Sequence, residues 1–445
     1  MGMTVEATER AQTWAAPAHG REAWMAIAYF GPLMLLCWLI LPNNIFVDLA
    51  TSFMLKNRLH ATASEVAAFR LITAVPVYCA FAFGLARDVW NPFHMRDRGF
   101  LILFGSATFF LFAALAILPL SVFGLTVGVF LAMVSFRFVA AALNGLTALL
   151  GQEKAMSGRL AAVMQGTAMT ASVVGGFAGG AVAQLLTPSA TFALFAVLAL
   201  GVAAFGLLRP DAVFRNVYAL PLAKGTDFFG DLRRLVRHRP IYAPILMAAT
   251  WNFAPGLSTP LQYYMTNTLH ASDAVFGAFN GIFFASYLPT ILLYAWLCRR
   301  VKLNRLIWWA TFITVPQLVP MAFIHTGSEA LIWAVPMGLM GGLFVAAVFD
   351  LAMRSCPAGL QGSLMMLVDG FYILSLRASD VVGSAIYDAD PKNGFLWCVI
   401  ATVVLYAAIL PMIWLIPSHV MANADGEPHA VLEPDVPVEP AAAKI

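Results

Sequence analysis

The sequence predicts an all-α membrane protein with twelve transmembrane helices, and two observations support this fold class: the composition and the hydrophobic runs. Hydrophobic residues make up 61% of the 445 residues, charged residues only 11%, and the mean hydropathy is +0.80. A soluble globular domain carries about 25% charged residues, so that class is excluded. The apolar residues form twelve runs, each of at least the roughly 20 residues that a helix needs to cross a bilayer.

The twelve predicted spans are separated mostly by short linkers. The first 23 residues are polar and lack the apolar core of a signal peptide, so we expect a cytoplasmic N-terminus in the cell membrane, the inner one if the source is bacterial. Most of the 26 Lys and Arg residues then lie on the cytoplasmic side, with the C-terminus, as the positive-inside rule requires. In chain order the spans are 29–56, 64–86, 99–120, 123–150, 159–186, 189–208, 241–268, 273–297, 304–325, 329–353, 361–386 and 394–417.

One long linker divides the chain into two halves of six spans each. We therefore predict a cytoplasmic N-terminal segment (1–23), a first six-helix bundle (24–208), the cytoplasmic linker (209–240), a second six-helix bundle (241–417) and a cytoplasmic tail (418–445). The tail is rich in Pro, Ala and Glu and has no apolar periodicity, so it is expected to be disordered.

The sequence also argues against several partners and chemistries. The net charge of +3 follows from the topology, and the basic run 233–239 is expected to touch anionic headgroups of the lipid bilayer rather than nucleic acid. The five cysteines show no metal-binding spacing, and neither an HExxH zinc motif nor a Walker phosphate-binding loop occurs. We expect a monomer with no metal, no cofactor and no enzymatic activity.

Six charged residues lie inside the apolar runs and indicate where function is to be sought. A charge at the bilayer centre costs about 2.5 to 3.5 kcal/mol on insertion scales, so such residues usually face a partner or a water-filled cavity. We therefore expect the six charges to outline a polar path through the helices. They are Arg70, Arg137, Arg377, Asp48, Asp369 and Asp380.

Arg137 lies near the middle of span four, and Asn144 follows seven residues later on nearly the same helical face. Both can face one cavity, where the guanidinium could bind a carboxylate or phosphate of a substrate in a bidentate fork. The alternative for Arg137 is an internal salt bridge that holds the two halves together. The sequence leaves both interpretations open.

Asp48 and Arg70 stand on opposite sides of the external turn near residue 59, each eleven residues from it. Antiparallel helices joined at that turn would hold the two side chains at the same depth. We therefore predict that they pair, either as a gate or proton-coupling pair or as a purely structural ion pair.

In span eleven, Asp369, Arg377 and Asp380 share one helical face. We expect Arg377 to neutralise Asp380, which leaves Asp369 without an adjacent arginine. Asp369 is therefore the candidate for exchanging a coupled proton, while Asp380 and Arg377 are candidates for gating. The alternative for Asp369 is a polar core residue with satisfied hydrogen bonds.

Amide and aromatic residues in spans five, seven and eight could line a pocket for a planar solute through stacking and hydrogen bonds. Aromatic residues that pack helices or lie at the membrane interface are equally common, and this alternative stays open. The candidates are Gln165, Trp251, Asn252, Tyr264 and Asn280.

The segment between spans two and three, GLARDVWNPFHMRDRGF, resembles the signature of the major facilitator superfamily. That signature has a glycine, an aspartate four residues later and a basic cluster, matched here by Gly84, Asp88, Arg96 and Arg98. A glycine allows close helix packing, an aspartate can cap a neighbouring helix, and arginines can bond helix ends or acidic groups. The resemblance implies that these four residues form a cytoplasmic latch; the alternative is that they only enforce topology.

Within that superfamily the chain resembles the folate/biopterin transporter family, with looser similarity to muropeptide permeases and acetyl-CoA transporters. The likeness lies in LPNNIFVDLATSFMLKNRLHAT at span one, APGLSTPLQYYMTNTLHAS at span seven and SCPAGLQGSLMMLVDGFY before span eleven. In the superfamily's fold, spans one, four, seven and ten line a central cavity, and spans three, six, nine and twelve face lipid. None of the six deep charges falls in the lipid-facing group.

The resemblance implies a secondary active transporter in which two bundles rock about a site at the bilayer midplane. We expect the substrate to be a small organic solute, anionic because of Arg137, with a folate or pterin as the family-level candidate. Transport is expected to be coupled to protons, as a symport. The alternative is a non-transporting membrane assembly factor or sensor with the same architecture.

Overall fold

The computed structural model describes residues 20–214 and 228–427, apart from residues 258, 358 and 391. Within these ranges all regular structure is helical. Ten of the described spans are long and apolar enough to cross a membrane. The remaining two, spans seven and eleven, are also helical, although span seven is broken at its centre and span eleven carries four charged residues. The predicted all-α membrane fold is confirmed.

The first half begins and ends at the side of the molecule where the linker lies, which we call the linker end; the opposite side is the far end. Two of its spans are broken into two helices each. Span one comprises Gly20–Ile40 and Ile45–Asn57, span two Ala63–Tyr78 and Ala80–Val89, and spans three to six are Asp97–Ile117, Val122–Glu153, Ser157–Leu185 and Pro188–Leu207.

The second half repeats this up-and-down course after two short linker helices, Asp211–Phe214 and Phe228–Arg237. Its span seven comprises Tyr242–Asn252, Thr259–Tyr263 and a π-helical turn at Tyr264–Thr268. Spans eight to twelve are Asp273–Leu297, Leu303–Thr314 with a 3₁₀ turn at Val319–Phe323, Gly327–Arg354, Gln361–Ala389, and Gly394–Ala407 followed by Ile409–Met412.

Five helices that start at the far end are capped by their own preceding residue. In each case a Ser or Thr side-chain oxygen accepts a hydrogen bond from the backbone N–H three residues later, which satisfies a donor that the helix leaves unpaired. These helices therefore begin without help from the rest of the molecule. The caps of spans two, four, six, eight and ten are Thr62, Ser121, Thr187, Ser272 and Thr326.

A repeated turn relates the two halves. The sequence Leu-His-Ala follows both span one and span seven, and His60 and His270 adopt nearly the same left-handed conformation, with φ of 50° and 49°. In both turns the alanine N–H, of Ala61 or Ala271, donates a 2.9 Å hydrogen bond back to the preceding helix. Equivalent turns at equivalent positions indicate a structural repeat, as transporter folds commonly have.

The prediction that the C-terminal tail is disordered is wrong for its first ten residues, 418–427. Ser418–Met421 forms a short helix, and Asp425 is buried against Arg159 of span five. Composition alone could not reveal this, because the order of the segment depends on contacts with distant parts of the chain, among them the ion pair of Asp425 with Arg159. The rest of the tail, the N-terminal segment up to residue 19 and linker residues 215–227 lie outside the described residues, and the domain boundaries stay predictions.

Spans two and eleven approach each other closely where Gly84 packs. A Cβ atom at Gly84 would lie 2.5 Å from the carbonyl oxygen of Gly362 and 2.8 Å from the Cα of Ser363. Both obstacles are backbone atoms, which cannot rotate away as a side chain can. The glycine of the superfamily-like segment therefore has the close-packing role that its position predicts.

We expect Gly84→Ala to lower the free energy of unfolding by about 1 to 3 kcal/mol, because the added methyl group overpacks this contact. The matched control is Gly31→Ala, where a Cβ atom would meet nothing within 4 Å. That substitution should be neutral or stabilising, since alanine favours a helix more than glycine does. Thermal unfolding in one detergent compares the two variants, and equal losses would contradict the close-packing role.

Candidate functional site

Spans one and seven are interrupted at corresponding places near their centres. Span one stops at Ile40 and resumes at Ile45, where the Asn44 side chain accepts a hydrogen bond from the N–H of Phe46. Span seven stops at Asn252 and resumes at Thr259. Paired interruptions of this kind leave backbone polar groups at mid-membrane depth and indicate a binding site between the halves.

The two halves are joined at mid-depth by an ion pair. Nη1 of Arg137 in span four donates to Oδ2 of Asp369 in span eleven at 2.7 Å. The Arg137 side chain is only 3% exposed and that of Asp369 is 19% exposed. Nε of Arg137 is buried without a hydrogen-bond partner among the described residues. One donor of this buried cation is therefore unused.

This pair corrects the prediction that no arginine is adjacent to Asp369. The prediction considered neighbours on the same helix only, whereas the partner lies 232 residues away in the other half. The internal salt bridge, one of the two alternatives for Arg137, is present. Binding of a substrate by Arg137 is compatible with it, because the guanidinium has five donors and the carboxylate occupies one of them.

A cavity of about 210 Å³ lies over the ion pair, and both halves contribute to its wall. The predicted residues Arg137, Asn144, Gln165 and Asp369 all line it. Its remaining polar wall comes from the span-one break and from Ser172, and its rings come from five spans. These further lining residues are Asn43, Asn44, Ser172, Trp38, Phe136, Phe284, Phe349 and Tyr372.

Four residues that were predicted to bind substrate do not line this cavity. Each of them contacts other residues of the second half instead. Trp251 packs against Tyr372 and Phe344, and the Asn252 side chain donates to the backbone oxygen of Tyr372. Two others lie toward the far end. There the Tyr264 hydroxyl donates to the Ile324 oxygen at 2.9 Å, and Asn280 donates to the Phe276 oxygen of its own helix at 3.0 Å.

Tyr372 is one of the aromatic lining residues that the sequence analysis did not single out. It lies three residues after Asp369 and thus on the same side of span eleven, which is the signal that could have indicated it. It lines the cavity and packs against Phe349. The site therefore combines a cation, a carboxylate, amides and several rings.

The predicted pairing of Asp48 with Arg70 is confirmed. Nη2 of Arg70 lies 2.9 Å from Oδ2 of Asp48, and it also donates to the Ser52 hydroxyl at 3.0 Å. However, the side chains of Arg70 and Asp48 are 52% and 32% exposed on the protein surface, so the pair does not belong to the buried site. Whether it serves as a gate stays a prediction.

The predicted pairing of Arg377 with Asp380 is wrong. Within the described ranges no ion pair joins these residues, and Arg377 is exposed. Asp380 instead accepts a 3.2 Å hydrogen bond from the N–H of Thr259, where span seven resumes after its break. Asp380 therefore accepts a hydrogen bond from the start of a helix in a different span. Residue spacing along span eleven could not predict a partner in another span.

At the linker end, Asp88 caps span eleven of the other half. Its carboxylate accepts hydrogen bonds from the N–H groups of Gly362 at 3.2 Å and Ser363 at 2.7 Å. The neighbouring Arg87 forms ion pairs with Asp88 and Asp97, and the sequence analysis did not single it out. The predicted capping geometry of Asp88 is confirmed, while its role as a latch stays a prediction.

The hydrogen bonds described for the two arginines of the same segment lie within the first half. Arg98 donates to the backbone oxygens of Gly206 and Leu207 at 3.0 Å each, and so satisfies the exposed end of span six. Arg96 begins span three with a left-handed φ of 52°, and its backbone N–H donates to the Asn91 side chain. Neither contact crosses to the second half.

The described hydrogen bonds that cross between the halves are confined to one part of the molecule. All of them lie at the level of the Arg137–Asp369 pair or nearer to the linker end. Among them, the Gln152 side chain donates to the Cys356 oxygen at 2.7 Å, and Nε of Arg354 donates to the Ser157 hydroxyl at 3.1 Å. Polar contacts between the two halves therefore hold the linker end closed.

Solved structures with the same architecture define the class of protein. The chain superposes on a major facilitator superfamily transporter, the E. coli fucose:proton symporter FucP in its outward conformation, with a TM-score of 0.65 and 15% identity over 89% of this chain and 100% of that one. A bacterial homologue of the iron transporter ferroportin in an outward-facing state gives a TM-score of 0.62 with 16% identity, over 86% and 98% of the two chains. The fold is that of the major facilitator superfamily.

The particular family follows from the sequence comparisons. Residues 43–324 match the BT1 family, and the chain belongs to it. A folate-biopterin transporter from Synechocystis sp. is 23% identical over 353 residues, which cover 76% of this chain and 70% of that protein. This protein is thus a multi-pass membrane transporter rather than an enzyme, and the resemblance to the folate/biopterin transporters is confirmed.

We expect Asp369→Ala to destabilise the protein more than Arg137→Ala does. Removing the carboxylate leaves a buried guanidinium that cannot lose its proton, and breaking a buried pair in this way costs about 3 to 5 kcal/mol. Removing the arginine leaves a carboxylate that faces the cavity. Unfolding of both variants in one detergent tests this, with Asp48→Ala as the reference for an exposed pair worth about 0 to 1 kcal/mol. The reverse order would contradict the burial described here.

Proposed function

We propose that this protein carries a small organic anion across the membrane by alternating access, together with a proton. The observation that carries the proposal is the Arg137–Asp369 pair, which lies between the two halves beside the cavity. A midplane site shared by two bundles is where substrate binds in transporters that rock between open states. The closed linker end then corresponds to one of these states, with the cavity reached from the far end.

The chemistry of the cavity supports an anion that carries a ring. The guanidinium of Arg137 has an unused Nε donor, and a carboxylate or phosphate can accept two parallel hydrogen bonds from such a fork. Trp38, Phe136 and Tyr372 offer surfaces for a planar group. The named relative is a folate-biopterin transporter, so a pterin or a folate is the first substrate to test.

Competition for Arg137 would couple the substrate to a proton. In the pair, each charge neutralises the other, and this makes their burial tolerable. When an anion binds to the unused donors of the guanidinium, two negative charges share one cation, and the charge of Asp369 is no longer fully compensated. Protonation removes that charge, so anion and proton bind together. Asp369 therefore remains our candidate for the coupled proton. The reason is now its ion pair with Arg137, whereas the sequence analysis chose it for the lack of an adjacent arginine.

Topology gives the coupling its direction. We place both termini and the linker in the cytoplasm on the basis of the positive-inside rule. The cytoplasmic side is then the closed side, and the far end faces outward. FucP, a fucose:proton symporter of like fold, was solved in its outward conformation, which supports this assignment.

Uptake into liposomes tests the proposal. Purified full-length protein is reconstituted, and accumulation of labelled folate, biopterin and simple aromatic carboxylates is measured with and without an imposed pH gradient. We expect at least one of these anions to accumulate only when the gradient is present. If no solute moves under any gradient while the protein remains folded, the transport of an organic anion by this chain is refuted.

Variants at the ion pair test the mechanism. Asp369→Asn should retain substrate counterflow, which needs no net proton movement, and lose accumulation driven by the pH gradient. Arg137→Gln should weaken substrate binding roughly ten- to a hundredfold, the value of a charge-assisted hydrogen bond. Asp380→Asn is the matched control, because it makes the same change on the same span outside the cavity. Accumulation by Asp369→Asn at the level of this control would exclude Asp369 as the proton carrier.

A further inference from the structure

Spans five and eleven begin with the same local pattern at the linker end. Each has a glycine as its second residue, Gly158 in span five and Gly362 in span eleven, and a leucine two residues later. Neither helix start is capped by the side chain of its own preceding residue. Span eleven is the sixth span after span five, so the two helices hold equivalent positions in the two halves of six spans each. Their unpaired N–H groups need acceptors from elsewhere.

Each of these helix starts receives an aspartate from the other half of the chain. Asp88 accepts from Gly362 and Ser363, as described above. Asp425 accepts a 2.9 Å hydrogen bond from the N–H of Gly158, and its second carboxylate oxygen lies 2.6 Å from Nε of Arg159. The two capped helix starts are therefore related by the same repeat that relates the halves.

The second aspartate comes from an unexpected part of the chain. Asp88 follows directly from span two, but the equivalent loop after span eight reads RRVKLNR from residue 299 and contains no acidic residue. The C-terminal segment lies there instead: the N–H of Asp425 donates to the backbone oxygen of Cys298 at 2.8 Å. A residue from beyond span twelve thus fills the place that a loop aspartate fills in the first half.

Contacts around Asp425 connect this segment to both halves. Toward the first half, the N–H of Gly426 donates to the oxygen of Ala155. Toward the second half, Arg354 donates to the oxygen of Asn423 at 2.8 Å and forms an ion pair with Asp350. The Asp425 side chain is fully buried, and burial raises its pKa although Arg159 opposes the rise. A buried carboxylate of this kind needs all its partners in place.

We propose that residues 418–427 form a second latch, in which Asp425 holds the linker end closed as Asp88 does on the opposite side of the molecule. The proposal rests on the proposed alternating access, since the linker end can open only when span five separates from Cys298 and the tail. Asp425 is a positioning residue: it does not contact the cavity, and it acts through the start of span five. Removing its side chain should shift the population toward the linker-open state.

Native cysteines provide the measurement. Cys298 and Cys356 are buried at the linker-end seam, and Cys398 is buried within span twelve. Full-length protein is treated with a thiol-reactive maleimide, and the labelling rate of each cysteine is read by peptide mass spectrometry. Because no substrate is needed, this result is independent of whether the chain transports folate, biopterin or another anion.

We expect Asp425→Ala to label Cys298 about tenfold faster than the wild type, since charge-assisted hydrogen bonds are lost. Asp425→Asn should give a smaller increase, because its amide oxygen can still accept from Gly158 while the ion pair is gone. Asp88→Ala serves as the comparison on the first latch and should expose Cys356. The matched control is Asp390→Ala, which removes a loop aspartate at the far end and should leave both rates unchanged.

Two outcomes would overturn the proposal. If Asp425→Ala labels Cys298 at the rate of the Asp390→Ala control, the tail does not hold the linker end closed. If Cys398 is labelled as fast as Cys298 in both Asp425 variants, the residue maintains the fold instead of the closed state. Selective labelling of Cys298 that is faster in Asp425→Asn than in the wild type, and faster again in Asp425→Ala, supports the latch. Slower counterflow exchange by Asp425→Ala would link the latch to transport.

Discussion

The ion pair between Arg137 and Asp369 is the interaction on which the arrangement of the two halves depends. Two charges at mid-membrane depth are tolerable only while they face each other, because an isolated ion there costs several kcal/mol. Each half contributes one of them, so neither half has a satisfied interior by itself. The pair therefore aligns the bundles and at the same time keeps a cation available beside the cavity.

Helix starts at the two ends of the molecule are satisfied in different ways. At the far end, Ser and Thr residues cap their own helices, so these starts are complete within each half. At the linker end, spans five and eleven depend on Asp425 and Asp88 from the other half. The bonds that close the linker end are thus polar contacts with acceptors that water can replace, which suits a seam that must open and close.

The internal repeat connects these observations. Equivalent left-handed turns at His60 and His270, equivalent breaks in spans one and seven, and equivalent glycines at the starts of spans five and eleven recur in both halves. The repeat is imperfect where the second half lacks a loop aspartate, and the C-terminal segment occupies that place. The two halves are consequently similar in architecture and different in the residues that close them.

Sequence alone determined the membrane class, the spans and the Asp48–Arg70 pair, because these follow from hydrophobic length, helix rise and turn position. The capping segment around Asp88 was indicated by its resemblance to the superfamily signature. Only the tertiary structure decided that Arg137 meets Asp369, that Asp380 binds the start of a different helix, and that part of the tail is ordered. Helical periodicity fixes which side chains share a face of one helix. It does not fix which faces meet, and that depends on how the two halves pack.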